Sequence, residues 1–108
     1  MIPSALYARV STSMQADADT SIPDQLAACL AAAEAAGHTV VLTATDPGIS
    51  GATWPRPGLA SLLDAARRGE ITALWAWDHS RLARDDELHG YLRWSFRAGG
   101  VEIHTVCD

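Results

Sequence analysis

Arg9-Val10-Ser11 places a guanidinium and a hydroxyl two positions apart at the end of a short apolar stretch, Ala5 to Val10. Positions two apart on a strand ending lie on the same side of the pleat. A serine hydroxyl is a weak nucleophile, so it acts only when its proton is removed or its target is strongly polarised. Guanidiniums achieve the second: their planar fork binds phosphate oxygens and stabilises charge developing on a transferred group. Ser80-Arg81-Leu82-Ala83-Arg84-Asp85 supplies two more, three apart, which share a face once a helical turn has begun. With Arg56 these make four of the eight basic residues. The pattern points to phosphoester chemistry by Ser11, with arginines as the electrostatic partners.

The elements that must position these groups alternate in type. Ala5 to Val10 predicts a buried first strand that stops at Ser11-Thr12-Ser13. Ser21-Ile22-Pro23-Asp24 carries a cap-like serine and an early proline, and Gly37 is the matching stop of a helix. Its apolar face is expected from Ile22, Leu26, Cys29, Leu30 and Ala33. Val40-Val41-Leu42 predicts strand two, and a long irregular loop is expected from Asp46-Pro47-Gly48 to Pro55-Arg56-Pro57. A second helix should start at Pro57 and end at Gly69, with Leu59, Leu62, Leu63 and Ala66 on its inner face. Ile71 to Trp77 predicts strand three, Asp85 to Ala98 a helix carrying Leu88, Tyr91, Leu92 and Phe96, and Val101 to Val106 strand four. Such alternation implies an α/β fold, a mainly parallel sheet of about four strands with helices on both faces. Sites in such sheets gather at the carboxyl ends of the strands, where Ser11, Asp46 and the segment after Trp77 all fall.

The 108 residues fit one domain, 1–108, and a 48% apolar fraction allows a real core. Thirteen acidic against eight basic residues give a net charge of −5, which opposes autonomous binding to a polyanion. DNA as a substrate therefore requires a separate delivering module or a local focus of arginines. Cys29 and Cys107 lack metal-type spacing and read as reduced thiols, and no membrane-length apolar run or signal pattern is present, which points to the cytoplasm. Trp75 and Trp77, alternating about Ala76, are expected to be buried in the sheet rather than to stack on bases. His38, His89 and His104 show no ligand spacing and read as structural or exposed, and His79 reads as a loop residue. Asp46 could be a turn former before Pro47-Gly48, and Arg56 a loop residue.

Tyr7-Ala8-Arg9-Val10-Ser11-Thr12, then Gln15, Gln25, Asp46, Ser50-Gly51, Arg56-Pro57 and Arg81-Leu82-Ala83-Arg84-Asp85, closely resemble the resolvase/invertase-type serine recombinases over essentially the whole chain. The longer stretch from Gln15 to Gln25 is closer in style to the large serine integrases. The resemblance implies a resolvase-like catalytic domain for site-specific DNA recombination. In it Ser11 attacks a DNA phosphodiester, forms a phosphoserine link and releases a 3′ hydroxyl before strand exchange and religation. It implies that Arg9, Arg81 and Arg84 contact the scissile phosphate, that Arg56, Gln15, Gln25, Asp46 and Ser50 support the site, and that neither metal nor other cofactor takes part. The implied partners are DNA and further subunits, as dimers and a synaptic tetramer, with no membrane.

Two departures stand out. Family members usually carry an acid immediately before the first arginine of the third motif, where this chain has His79-Ser80, with Asp78 two residues before Ser80. The sequence also stops near the end of strand four, so the long pairing helix and the DNA-binding region are expected to lie outside it. These features support a second reading, a catalytically impaired, truncated relative that acts as a protein-interaction module. A third, a small phosphatase or hydrolase, is disfavoured because no matched motif contains a histidine base.

Overall fold

The computed structural model describes residues 2–10, 21–47, 56–78 and 86–107, the side chains of residues 86 and 87 excepted. Strand β1 (Ile2–Val10) leads to helix α1 (Ile22–Ala35), β2 (His38–Pro47), α2 (Pro57–Arg67), β3 (Ala73–Ala76), α3 (Asp86–Ala98) and β4 (Glu102–Thr105). The four strands form one parallel sheet in the order β2-β1-β3-β4. The α/β reading thus holds, with four parallel strands and helices on both faces.

Strand β1 is central and buried from Ser4 to Arg9. Its side chains alternate between two cores. Ala5 and Tyr7 join Leu59, Leu62, Leu63 and Ala66 of α2 and Leu92 and Phe96 of α3 on one face. Leu6 joins Cys29 and Ala33 of α1, with Trp75 of β3, on the other. Each buried leucine or phenylalanine contributes about 1.5–3 kcal/mol by leaving water.

Helix α1 begins as the sequence predicts: Ser21 is its cap, its hydroxyl accepting from the Asp24 amide at 3.3 Å. It ends at Gly37, whose φ of 82° is a conformation that costs glycine little. The expected inner face narrows, however. Gln25, Cys29 and Ala33, four apart, are buried, Leu26 is half-buried, and Leu30 is exposed. Helix α3 shows the same correction, because Leu92 and Phe96 are buried while Tyr91 is exposed. The buried stripe of α1 is thus about one residue wide per turn, narrower than the apolar face its sequence offers, whereas α2 buries Leu59, Leu62, Leu63, Ala65 and Ala66.

Strand β2 is longer than Val40–Leu42 and runs through Asp46 to Pro47. Asp46 therefore sits in a strand paired with Arg9, not in a loop. Strand β2 lies at the sheet edge, where a proline removes no needed ladder bond. Trp75 is buried as expected and Trp77 is half-buried. The Trp75 indole donates to His38 Nδ1 at 3.1 Å and stacks on His104, so both histidines belong to the packing of that face.

Both cysteines are free thiols, Cys29 buried and Cys107 exposed. Burial, reinforced by the proximity of Cys107, pushes the Cys29 thiol up to about 11. At pH 8 Cys29 is almost entirely the unreactive thiol. Iodoacetamide should label one cysteine, Cys107, in the native chain and two after denaturation. Rapid double labelling of the native chain, read by mass spectrometry, would contradict this burial.

Candidate functional site

The strand order creates the site. From β1 the chain crosses to β2 over one face, and from β3 to β4 over the other, so the connections diverge above the carboxyl ends of β1 and β3. That is the switch-point crevice where α/β sheets place their ligands. Pairing of β1 with β3 ends at Tyr7 and Ala76, so Arg9 lies beyond the last rung on that side. Gln25 takes over there: its Oε1 accepts from the Arg9 amide at 3.3 Å, and its Nε2 donates to the Arg9 carbonyl at 3.1 Å. One carboxamide thereby satisfies the backbone groups that a strand neighbour would otherwise pair.

Arg9 and Arg56 are both fully buried, unusual for a residue type that is rarely interior. Both act on Tyr7. The Arg56 guanidinium lies 5.8 Å from the Tyr7 ring centroid, and the charge of Arg9 also acts on the Tyr7 phenol. Burial holds that phenol far above its usual range, against the pull of Arg56, and its hydrogen bond to Asp46 raises it further. Tyr7 is therefore a neutral donor and not a proton acceptor at any ordinary pH. Burial also lowers Arg56 from its ordinary value, opposed by Tyr7 and Asp46, yet a guanidinium remains charged.

Asp46 binds this group together. Its Oδ2 accepts from the Tyr7 hydroxyl at 2.7 Å and the Leu59 amide at 3.0 Å, and its Oδ1 from the Gly58 amide at 2.7 Å. The last two are orphan donors of the first turn of α2, whose own cap residue, Arg56, makes no side-chain capping bond. Asp46 thus caps α2 from a neighbouring strand. Among the described residues it is the one fully buried carboxylate, set against two fully buried guanidiniums, so this end of the sheet favours an anion.

The structure thus brings together Arg9, Gln25, Asp46 and Arg56 of the residues anticipated from sequence. Asp78 is half-buried and follows β3 by two positions. Ser11, Gln15, Ser50, His79, Ser80, Arg81 and Arg84 lie outside the described residues. Two members of the group escaped sequence reasoning. Tyr7 stood within the matched string but read as core. Gly58 carries no signal of its own beside Pro57, the expected helix start, and only its proximity to β2 shows its role. No group of three or more potential metal ligands exists among the described residues. No described helix is long and apolar enough to cross a membrane.

Comparison with known proteins bears on the fold and the family. Residues 4–108 match the family model described as Resolvase, N terminal domain. A relative in Bacillus subtilis (strain 168), named as a candidate DNA recombinase, is 39% identical over 92 residues, which are 78% of this chain and 18% of that protein. The chain therefore spans about a fifth of the curated relative it matches. The N-terminal catalytic domain of TP901-1 integrase superposes with a TM-score of 0.85 at 28% identity, covering 96% of this chain and 76% of that one. The C-terminal catalytic domain of ISC1926 TnpA, an IS607-like serine recombinase, gives 0.86 at 28%, covering 99% and 72%. A resolvase family site-specific recombinase from Streptococcus pneumoniae gives 0.82 at 25%, covering 98% and 72%.

Proposed function

This chain belongs to the resolvase N-terminal domain family, the catalytic domains of serine recombinases, and from that premise we propose that Ser11 is the nucleophile of DNA strand cleavage and rejoining. The observation that carries the reading is the pair of buried guanidiniums, Arg9 and Arg56, gathered around Tyr7 and Asp46 at the strand end that leads into Ser11. Guanidiniums gathered at a strand end are suited to holding an anionic group, and a phosphodiester is such a group.

In the proposed reaction the Ser11 oxygen forms a bond to phosphorus as the bond from phosphorus to the DNA 3′ oxygen breaks. The serine proton is lost and the leaving oxygen gains one as it becomes a 3′ hydroxyl. The phosphoserine ester conserves the bond energy, so attack by a second 3′ hydroxyl reverses the step and rejoins strands. Arg9, Arg81 and Arg84 hold the phosphate and stabilise its developing charge. Arg56, Gln15, Gln25, Asp46 and Ser50 support them, Gln25 by fixing the Arg9 backbone and Asp46 by seating α2. The 108 residues act as one catalytic domain. DNA reaches it through a module outside these residues, and exchange proceeds in paired subunits that form a synaptic tetramer.

Trapping tests the reading. The native-length protein, incubated with a DNA carrying its site and quenched in detergent, should yield a covalent adduct. Tandem mass spectrometry should place the nucleotide on Ser11. An adduct on any other residue would sink the assignment.

A further inference from the structure

We infer that Gly58 is a positioning residue, required because the space beside its Cα is already filled by the Asp46 seat that places Arg56; the inference rests on the recombinase reading for its effect on cleavage. A Cβ at Gly58 would stand 2.6 Å from the Thr45 carbonyl oxygen and 2.9 Å from each Asp46 carboxylate oxygen. None of these atoms can swing away. The first is backbone of β2, and the carboxylate is fixed by the Tyr7 hydroxyl and the Gly58 and Leu59 amides. Gly58 is not among the positive-φ glycines, so the requirement is one of room and not of backbone conformation.

The absence of a side chain lets the first turn of α2 rest directly on the end of β2, which brings its amides within 2.7 and 3.0 Å of the carboxylate. Arg56 stands two residues before Gly58, as the cap of the same helix. Its guanidinium lies over the Tyr7 ring, and the Tyr7 hydroxyl is held by the same carboxylate. Gly58, Asp46 and Tyr7 therefore set where the Arg56 charge sits. A methyl group at Gly58 has to lift α2 away from β2, and Arg56 moves with it. Gly90 is the natural comparison: it is also helical, but an added Cβ there meets nothing within 4 Å.

Two readouts separate this inference from the recombinase reading. In the isolated chain, the Arg56 Nε–Hε NMR resonance should move in Gly58→Ala and stay in place in Gly90→Ala. In the native-length protein, Gly58→Ala should cleave DNA about 10–100-fold more slowly, in line with the cost of misplacing a group by about 1 Å. DNA affinity should hold, and the loss should vanish in an Arg56→Ala background. An unmoved Arg56 resonance in a folded Gly58→Ala chain overturns the inference, and so does an equal further loss when Arg56 is already alanine. If Gly58→Ala does not fold, Tyr7→Phe carries the same test: it removes only the hydroxyl, and its loss of cleavage must also vanish with Arg56→Ala. A moved resonance in a protein that never forms a Ser11 adduct leaves the positioning intact and removes the recombinase reading.

Discussion

Cleavage of site-bearing DNA by the Ser11→Ala protein falls by about 10⁴-fold or more, the usual consequence of deleting a covalent nucleophile whose chemistry no neighbouring group replaces. Retained DNA binding should accompany the loss, because the arginines proposed to hold phosphate are untouched. The crevice gives this variant its meaning. Arg9 is fixed at the end of β1 by the two bonds to Gln25, so removing a hydroxyl two residues further on leaves the cation in place. Gel-based single-turnover cleavage measures the effect. Thr12 and Ser13 follow directly in the sequence, and a residual rate within tenfold of wild type would transfer the nucleophile to one of them or to water.

Asp46→Ala is the most destabilising single change expected in the described part of the chain. It strands two peptide amides and a phenol, all of which now donate to that carboxylate within 3.0 Å. Each orphaned buried donor costs about 1–3 kcal/mol, and partial entry of water into the vacated space brings the total to about 3–5 kcal/mol. Against a typical total of about 5–15 kcal/mol, that is a large share of the stability. Urea unfolding followed by far-ultraviolet circular dichroism gives the value. A loss below about 1 kcal/mol would mean that the carboxylate does not cap α2 in solution.

Much of this architecture is legible from residues alone, and the reasons are local. Helix α1 announces itself by the Ser21 cap and the Gly37 stop, and both do in the structure what they do in isolated helices. Strand β1 is readable because burial on both faces demands an unbroken apolar run. The end of β2 is not readable, because Asp46-Pro47 has the composition of a turn and nothing nearby in sequence reveals that this strand lies at an edge that tolerates proline. Tyr91 and Leu30 mislead for a related cause: their spacing admits them to an apolar face, and only the sheet beneath decides how wide a stripe it covers.

The candidate site divides the same way. Arg9, Gln25, Asp46 and Arg56 could be named from the matched motifs, but their division of labour could not. That Gln25 completes a ladder depends on where β3 stops, and that Asp46 caps a helix 11 residues away depends on how α2 approaches β2. Tyr7 and Gly58 went unnoticed because an aromatic in a strand and a glycine after proline are ordinary in sequence. Their roles arise from contacts between elements.

The Gln25 clamp has a further consequence for how the chain between it and Arg9 can change. Its two bonds tie together points 16 residues apart, so the ends of the connecting segment are joined independently of what lies between them. Once the ends of a loop are joined, closure entropy grows only with the logarithm of its length, about 0.6 kcal/mol for each doubling. A longer connection between Arg9 and Gln25 therefore weighs only slightly on the clamp itself, and the Arg9 backbone keeps its two bonds. The place of the Arg9 cation is thereby decoupled from the length of chain that separates β1 from α1.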